Sequence, residues 1–461
     1  MQIRPEPLTI DPANPFANDA LDRRELVDFM DNLVTKVKGP MVLAIDSPWG
    51  TGKTTLVNMF KAHLEAKGFK CIYFNAWASD YATDPLVAMV AKIDLKVEKE
   101  NEAAQKHLKR LKRITTLVAK RGAIAAVKAA TFGALELDKE FEAALAQGTG
   151  DATSDLVDLM LKESDCLAKF REELQATVES LKEENDSKNL VFFIDELDRC
   201  RPNFAIELLE RVKHLFDVPN VIFVLSIDKQ QLEVSTSAIY GSGIDAREYL
   251  RRFIDLELRV PQASSKAFTR HLLARFDLDK VFSTRIGELQ SDSSTFVDIF
   301  SLIASATKMS LRTQEHCVSR LALVLDQTPT NHYLFPVLVG TLVATRALNP
   351  KLFSDIRSAS ASTAELMDWL RSLDSSEMLK NSRLACAIES YMNVADPNDH
   401  RRSTRMKELE EKCNNTELDG NARTYARDVL AFSLRLSSSF SGAPQLAYVM
   451  RKIDFADGVV R

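Results

Sequence analysis

Four short runs of consecutive apolar residues punctuate the first half of the chain: Met41–Asp46, Cys71–Asn75, Leu190–Asp195 and Val221–Ile227. Each is rich in β-branched or aromatic residues and too short for a helix, the pattern of a strand buried on both faces. A weaker, alternating run covers Asp255–Val260. Between these runs apolar residues recur at three- and four-residue spacings, which predicts helices over Thr54–Lys67, Pro85–Lys99, Phe204–Phe216 and Lys229–Tyr240. Strands that alternate with helices build a parallel sheet with helices on both faces, so the expected fold class is α/β.

The alternation stops between residues 95 and 188. That stretch carries no strand pattern, and Leu167, Phe170, Leu174, Val178 and Leu181 mark a long amphipathic helix near its end. It reads as a helical insertion between the second strand and Leu190–Asp195. After Pro261 the pattern is helical throughout, with breaks near 290–294, 327–333, 349–350 and 396–399. The expected division is a core of residues 1–94 and 189–262, an insertion over 95–188, a helical unit over 263–330 and a helical C-terminal domain over 331–461.

Composition narrows the class. A chain of 461 residues suggests two or three domains, and 45% hydrophobic with 27% charged residues is ordinary for a soluble globular protein. With 15 Gly and 15 Pro it is poor in both, which excludes collagen-like and low-complexity chains and favours long helices. A net charge of −5 gives no global reason to bind nucleic acid or an anionic membrane. The six cysteines are scattered without metal-ligand spacing, so neither a disulfide framework nor a zinc site is indicated. No secretory leader pattern and no run of 18 apolar residues occurs, and the expectation is a reduced, cytoplasmic protein without a transmembrane span.

Two of the scarce glycines stand together. The strand at Met41 runs into Ser47-Pro48-Trp49-Gly50-Thr51-Gly52-Lys53-Thr54-Thr55, and a helix follows. This is the strand–loop–helix context of a phosphate-binding Walker A loop. Gly50 and Gly52 let backbone N–H groups turn toward phosphate oxygens, Lys53 reaches the outer phosphates, and the Thr54 hydroxyl is placed to ligate Mg²⁺. Ser47 replaces the first glycine of the GxxxxGK[ST] pattern, which is tolerable where that position needs no left-handed backbone. The partner motif is LVFFIDELDRCRP from Leu190. Asp195 at the strand end would hold Mg²⁺, mainly through its water shell, and Glu196 would orient or deprotonate an attacking water. Together they point to hydrolysis of a nucleoside triphosphate. The absence of an [NT]KxD box turns the base toward adenine, so ATP is the expected cofactor. Ser226 and Asp228, ending the Asn220 strand, either sense the terminal phosphate or simply close a strand-end turn.

At this point the sequence resembles the KAP family of P-loop NTPases. The resemblance spans roughly residues 10–325 and rests on NDALDRRELVDFM, FNAWASDYATDPL, FFIDELDRCRP, VIFVLSID and YLRRFIDLELRVP. It implies an ATPase core with an extra strand between the Walker A and Walker B strands. Lys53 and Thr54 match the family's phosphate and magnesium residues, and Asp195 and Glu196 its magnesium and catalytic acids. Asp198 and Arg199 match its DLDR signature, with Arg199 either a finger acting in trans or a salt-bridge partner for Asp198. SLRTQEHCVSRL resembles the lid motif whose arginine senses nucleotide, which makes Arg312 either that residue or part of a solvated helix face. Many members carry paired transmembrane helices where this chain has its insertion. Here Lys120, Arg121 and Lys128 interrupt Ile114–Leu135, and the expectation is a soluble version.

Segment 103–135 has eight Lys or Arg and no acid. It either holds phosphates of nucleic acid or a membrane surface, or pairs with the acidic helix near 163–184. Three functions stay open. The first is a Mg²⁺-dependent ATPase that switches a helical domain or partner complex, in an antiphage process by the family resemblance and with a homo-oligomer and a partner protein expected. The others are a nucleotide-gated scaffold with negligible turnover and a motor stimulated by nucleic acid through the basic insertion.

Overall fold

A computed structural model describes residues 8–37, 39–97, 102–122, 152–182, 188–285, 287–374, 377–439 and 446–454. Five strands form one sheet: β1 (Met41–Asp46), β2 (Lys70–Asn75), β3 (Leu190–Asp195), β4 (Val221–Ile227) and β5 (Leu256–Arg259). All pairings are parallel and the spatial order is β2-β3-β4-β1-β5. The strand expected between the two motif strands is β4. In register, Asp195 lies between Asn75 and Ser226, and Ser226 pairs on its other side with Ile45. The carboxyl ends of β1, β4, β3 and β2 therefore stand at one level, the place where open α/β sheets bind ligands.

The strands read as unbroken apolar runs because both faces are covered. Leu43, Ile45, Val191 and Phe193 pack on one face against Val27, Met30 and Val34 of the helix Arg24–Lys36 and Leu56, Val57 and Phe60 of the helix Lys53–Ala66. Val42, Ala44, Phe192 and Ile194 face the other way, toward Met89 and Val90 of the helix Pro85–Val97 and Leu208, Leu209 and Val212 of the helix Pro202–Leu215. That last helix starts two residues before its expected position. Pro202 sits at its first turn, where a missing N–H costs nothing.

The described part of the insertion consists of two helices, Glu102–Gly122 and Ala152–Ser180, packed on each other. Phe170, Leu174, Val178 and Leu181 are buried as their spacing predicts, against Ala104, Leu108 and Leu111. Its basic side chains divide. Arg110 pairs with Glu173 at 3.3 Å and Lys112 with Asp94 at 2.5 Å, while Lys106, Lys109 and Arg113 are exposed. Lys120, Arg121 and Lys128 lie outside the described side chains. Among the described residues no helix is long and apolar enough to cross a membrane.

From Ser265 onward every described element is helical. The expected breaks fall at 327–335, Asn349 and 396–398. The break expected at 290–294 lies earlier, at 284–291, because Asp292 already begins the helix Asp292–Ala306. Residues 263–330 and 331–461, separate in the sequence pattern, contribute to one continuous apolar core running from Phe268 to Ile453. Farther out, Glu389 is 1% exposed and receives Arg371 and Arg405, each at 2.5 Å, and the Tyr425 hydroxyl at 2.9 Å. Burial alone would raise its pKa, but the two guanidiniums outweigh that and hold the carboxyl below its ordinary range. Glu389→Ala leaves two guanidiniums facing each other without their anion and is expected to cost about 3–5 kcal/mol. Urea unfolding would measure this, and a loss as small as that of an exposed glutamate would contradict it.

Candidate functional site

The loop after β1 is built by backbone conformation. Gly50 and Gly52 have φ of +77° and +86°, the left-handed region that costs an L-residue strain, whereas Ser47 is not among the positive-φ residues. Serine is therefore accommodated where the pattern has glycine. The loop is fastened to the end of β4: Ser47 N donates to Ile227 O at 3.1 Å, and Trp49 N to the Asp228 carboxylate at 3.2 Å. Asp46 in turn accepts from Lys229 N at 2.9 Å. The buried Lys53 ammonium points back into the loop and donates to Ser47 O, with Pro48 O at 3.4 Å. Burial pushes its pKa down, against the pull of Asp198, Asp228, Asp195 and Asp46.

The second wall comes from β3. Asp195, 1% exposed, accepts from the Tyr73 hydroxyl and from Glu196 N, both at 2.9 Å. Burial and the adjacent Asp195 push the Tyr73 hydroxyl up, so it remains a donor. Glu196 adopts a left-handed backbone, φ +61°. Its carboxylate accepts from Asn75 Nδ2 at 2.8 Å and pairs with Arg199 at 2.8 Å. The third wall is the start of the helix Leu311–Asp326, whose Leu311 N donates to Gly50 O at 2.8 Å. Trp49, Gly50, Gly52, Lys53, Thr54, Thr55, Asp195, Glu196, Arg199 and Arg312 all line one cleft, whose lining also includes Asn18–Leu21, Arg23, Phe268 and His271.

The P-loop domain model of the KAP family matches residues 26–332, more than half of the chain. This chain belongs to that family. Membership makes it a nucleotide-binding P-loop fold. No curated protein matches the sequence. Among solved structures, ORC2 of Aeropyrum pernix in ADPNP and ADP complexes aligns over 91% of this chain and 95% of its own, at 13% identity and a TM-score of 0.35. At that score the likeness carries no argument.

Within this KAP core, three of the expected residues do not face the cleft. The Thr51 hydroxyl is turned into the loop, donating to Pro48 O at 2.8 Å and lying 2.7 Å from the Ser47 hydroxyl. Ser226 is fully buried between β1 and β3. Asp228 accepts from Trp49 N and caps the helix Lys229–Tyr240 through Gln231 N, so it holds the loop instead of lining the site. Arg199 pairs with Glu196; the partner of Asp198 is the Trp49 indole N–H. Tyr73 and Asn75, which belong to no motif, hold the acidic pair, and Arg23 lines the cleft. Period two along β2 puts Tyr73 and Asn75 on one face, and Asn75 lies in register with Asp195.

A methyl group on Gly50 would stand 3.0 Å from the Ser310 hydroxyl and 3.3 Å from Arg312 Cβ, whereas one on Gly241, φ +89°, would meet nothing within 4 Å. Both alanine variants carry backbone strain, on the order of 1–3 kcal/mol. Gly50→Ala alone is expected to weaken nucleotide binding, by roughly tenfold or more. Titration of a fluorescent nucleotide into both variants checks it, and equal affinities would exclude a lid seated on the loop.

Proposed function

We propose that the chain is a nucleoside triphosphatase acting on ATP. The observation that carries this is the convergence, in one cleft, of a positive-φ glycine loop, the Lys53 ammonium, the Thr54 hydroxyl and the Asp195–Glu196 pair. Lys53 and the loop N–H groups bind the outer phosphates. Arg312 approaches from the lid beside Gly50, in keeping with a role in sensing the nucleotide.

Among the described residues no group of three or more His, Cys, Asp and Glu side chains could hold a metal alone. A Mg²⁺ ion fits, because such an ion takes most of its ligands from phosphates and water; Thr54 would hold it, and Asp195 would do so mainly through its water shell. When bound it would neutralise phosphate charge. The Asp195 carboxylate keeps lone pairs beyond those used by Tyr73 and Glu196 N, so it can accept from a coordinated water. Glu196 is the group placed to take a proton from the attacking water.

The occupied Glu196 carboxylate favours a second reading, a nucleotide-gated scaffold with negligible turnover. A motor driven by nucleic acid has less support, since Arg110 and Lys112 already have acidic partners. The family resemblance supports a cytoplasmic role in antiphage defence, with a second copy or a partner protein of the same system. A plaque assay with Lys53→Ala tests that role.

Glu196→Gln is expected still to bind nucleotide while losing turnover by roughly 10²- to 10⁴-fold. Lys53→Ala is expected to lose binding itself. Steady-state phosphate release with and without DNA or RNA reads all three functions. Turnover equal in wild type and Glu196→Gln would establish the scaffold, and strong stimulation by nucleic acid the motor.

A further inference from the structure

Glu196 is doubly held. Asn75 donates one neutral hydrogen bond to Oε2, and Arg199 brings a full positive charge to Oε1, both at 2.8 Å. With each of its two oxygens already facing a donor, the carboxylate presents neither one freely to an attacking water. The residue also sits in a left-handed conformation, immediately before the short turn Leu197–Arg199, so carboxylate and guanidinium belong to one compact unit. Both side chains line the cleft together with Gly50, Lys53 and Arg312. The Arg199 guanidinium lies 5.7 Å from the ring centre of Trp77, a half-exposed indole on the turn after β2.

One guanidinium thus faces two anions of unequal charge. The terminal phosphate of a triphosphate carries more charge than a carboxylate and offers three oxygens to a planar fork of donors. We propose that Arg199 is a positioning residue that exchanges partners: it holds Glu196 in the conformation seen and transfers to the terminal phosphate when a triphosphate enters. Glu196 then keeps only the neutral bond from Asn75, and its free oxygen accepts the water proton. A diphosphate lacks the group that draws Arg199 away, so it leaves the carboxylate locked. The base is thereby released by the substrate and not by the product. This inference rests on the triphosphatase reading and adds to it a substrate-dependent release of the base.

The exchange makes Glu196 and the terminal phosphate competitors for one cation, which a double-mutant cycle isolates. The quantity to measure is the preference for a non-hydrolysable ATP analogue over ADP, from titrations of wild type, Glu196→Gln, Arg199→Ala and the double variant. Glu196→Gln frees the guanidinium and is expected to raise that preference roughly five- to tenfold. In the Arg199→Ala background the same change is expected to shift it by less than about twofold. Arg199→Lys, which keeps the charge, is expected to retain part of the coupling and serves if the alanine variant does not fold. An equal gain with and without Arg199 would mean that simple charge repulsion explains it, and would overturn the exchange alone. If folded wild type binds neither nucleotide, the triphosphatase reading falls and the exchange with it.

Discussion

The insertion of β4 between β1 and β3 sets the geometry of everything else in the core. Because β4 pairs in register with both neighbours, the ends of the loop strand and the acidic strand are a fixed two strands apart. The same register places Asn75, Asp195 and Ser226 side by side across three strands. A register slip of one residue would turn Asp195 from the cleft toward a helix-covered face, since side chains alternate at period two. The apolar runs of β3 and β4, covered on both faces, make any such slip costly.

The phosphate loop depends on that frame and on little else local. Its shape follows from two left-handed glycines, and its position from hydrogen bonds to Ile227 and Asp228 at the β4 end. The lid then rests on the loop: Leu311 N reaches Gly50 O, and the space a side chain at Gly50 would need is taken by Ser310 and Arg312. Glycine at this position therefore answers two demands, one of backbone angle and one of close approach. The second couples the core to the apolar body that runs from Phe268 to Ile453.

Local chemistry was legible in the sequence; partnership across the fold was not. Three strands announced themselves because burial on both faces leaves an uninterrupted apolar run, and the edge strand β2 still buries three of its six residues, whereas β5, at the other edge, buries none fully. Gly50, Gly52, Lys53, Asp195 and Glu196 were found because consecutive residues carry their signal. Asp228 was legible only as an acid at a strand end. Its place at a strand end suits either a phosphate contact or an anchor, and the anchor contact becomes visible only through the three-dimensional approach of Trp49 N. Arg199 is similar, since its neighbour Asp198 is nearer in sequence but Glu196 is the acid its side chain reaches. Tyr73 and Asn75 carry no motif at all. Their role comes from strand register, which requires knowing that β2 lies beside β3.

The same distinction explains how a lysine survives at the centre of the cleft. Lys53 is buried, and desolvation disfavours its charged form. Four carboxylates act against that, and each is itself tied down. Asp46 accepts from Lys229 N, Asp228 from Trp49 N, Asp195 from Tyr73 and Glu196 N, and Asp198 from the Trp49 indole. Groups that look like a phosphate-repelling cluster are thus the anchors of the loops, fixed by hydrogen bonds to N–H and O–H donors. Fixed dipoles and charges need no rearrangement to stabilise an ammonium ion, so the acids that position the loop also oppose the effect of burial on its lysine. Asp198 shows the limit of this economy: burial pushes its own pKa up, against the Trp49 indole, the charge of Lys53 and backbone N–H donors. Lys53 and Asp198 therefore sustain each other's charge, and a change that neutralises one weakens the case for the other.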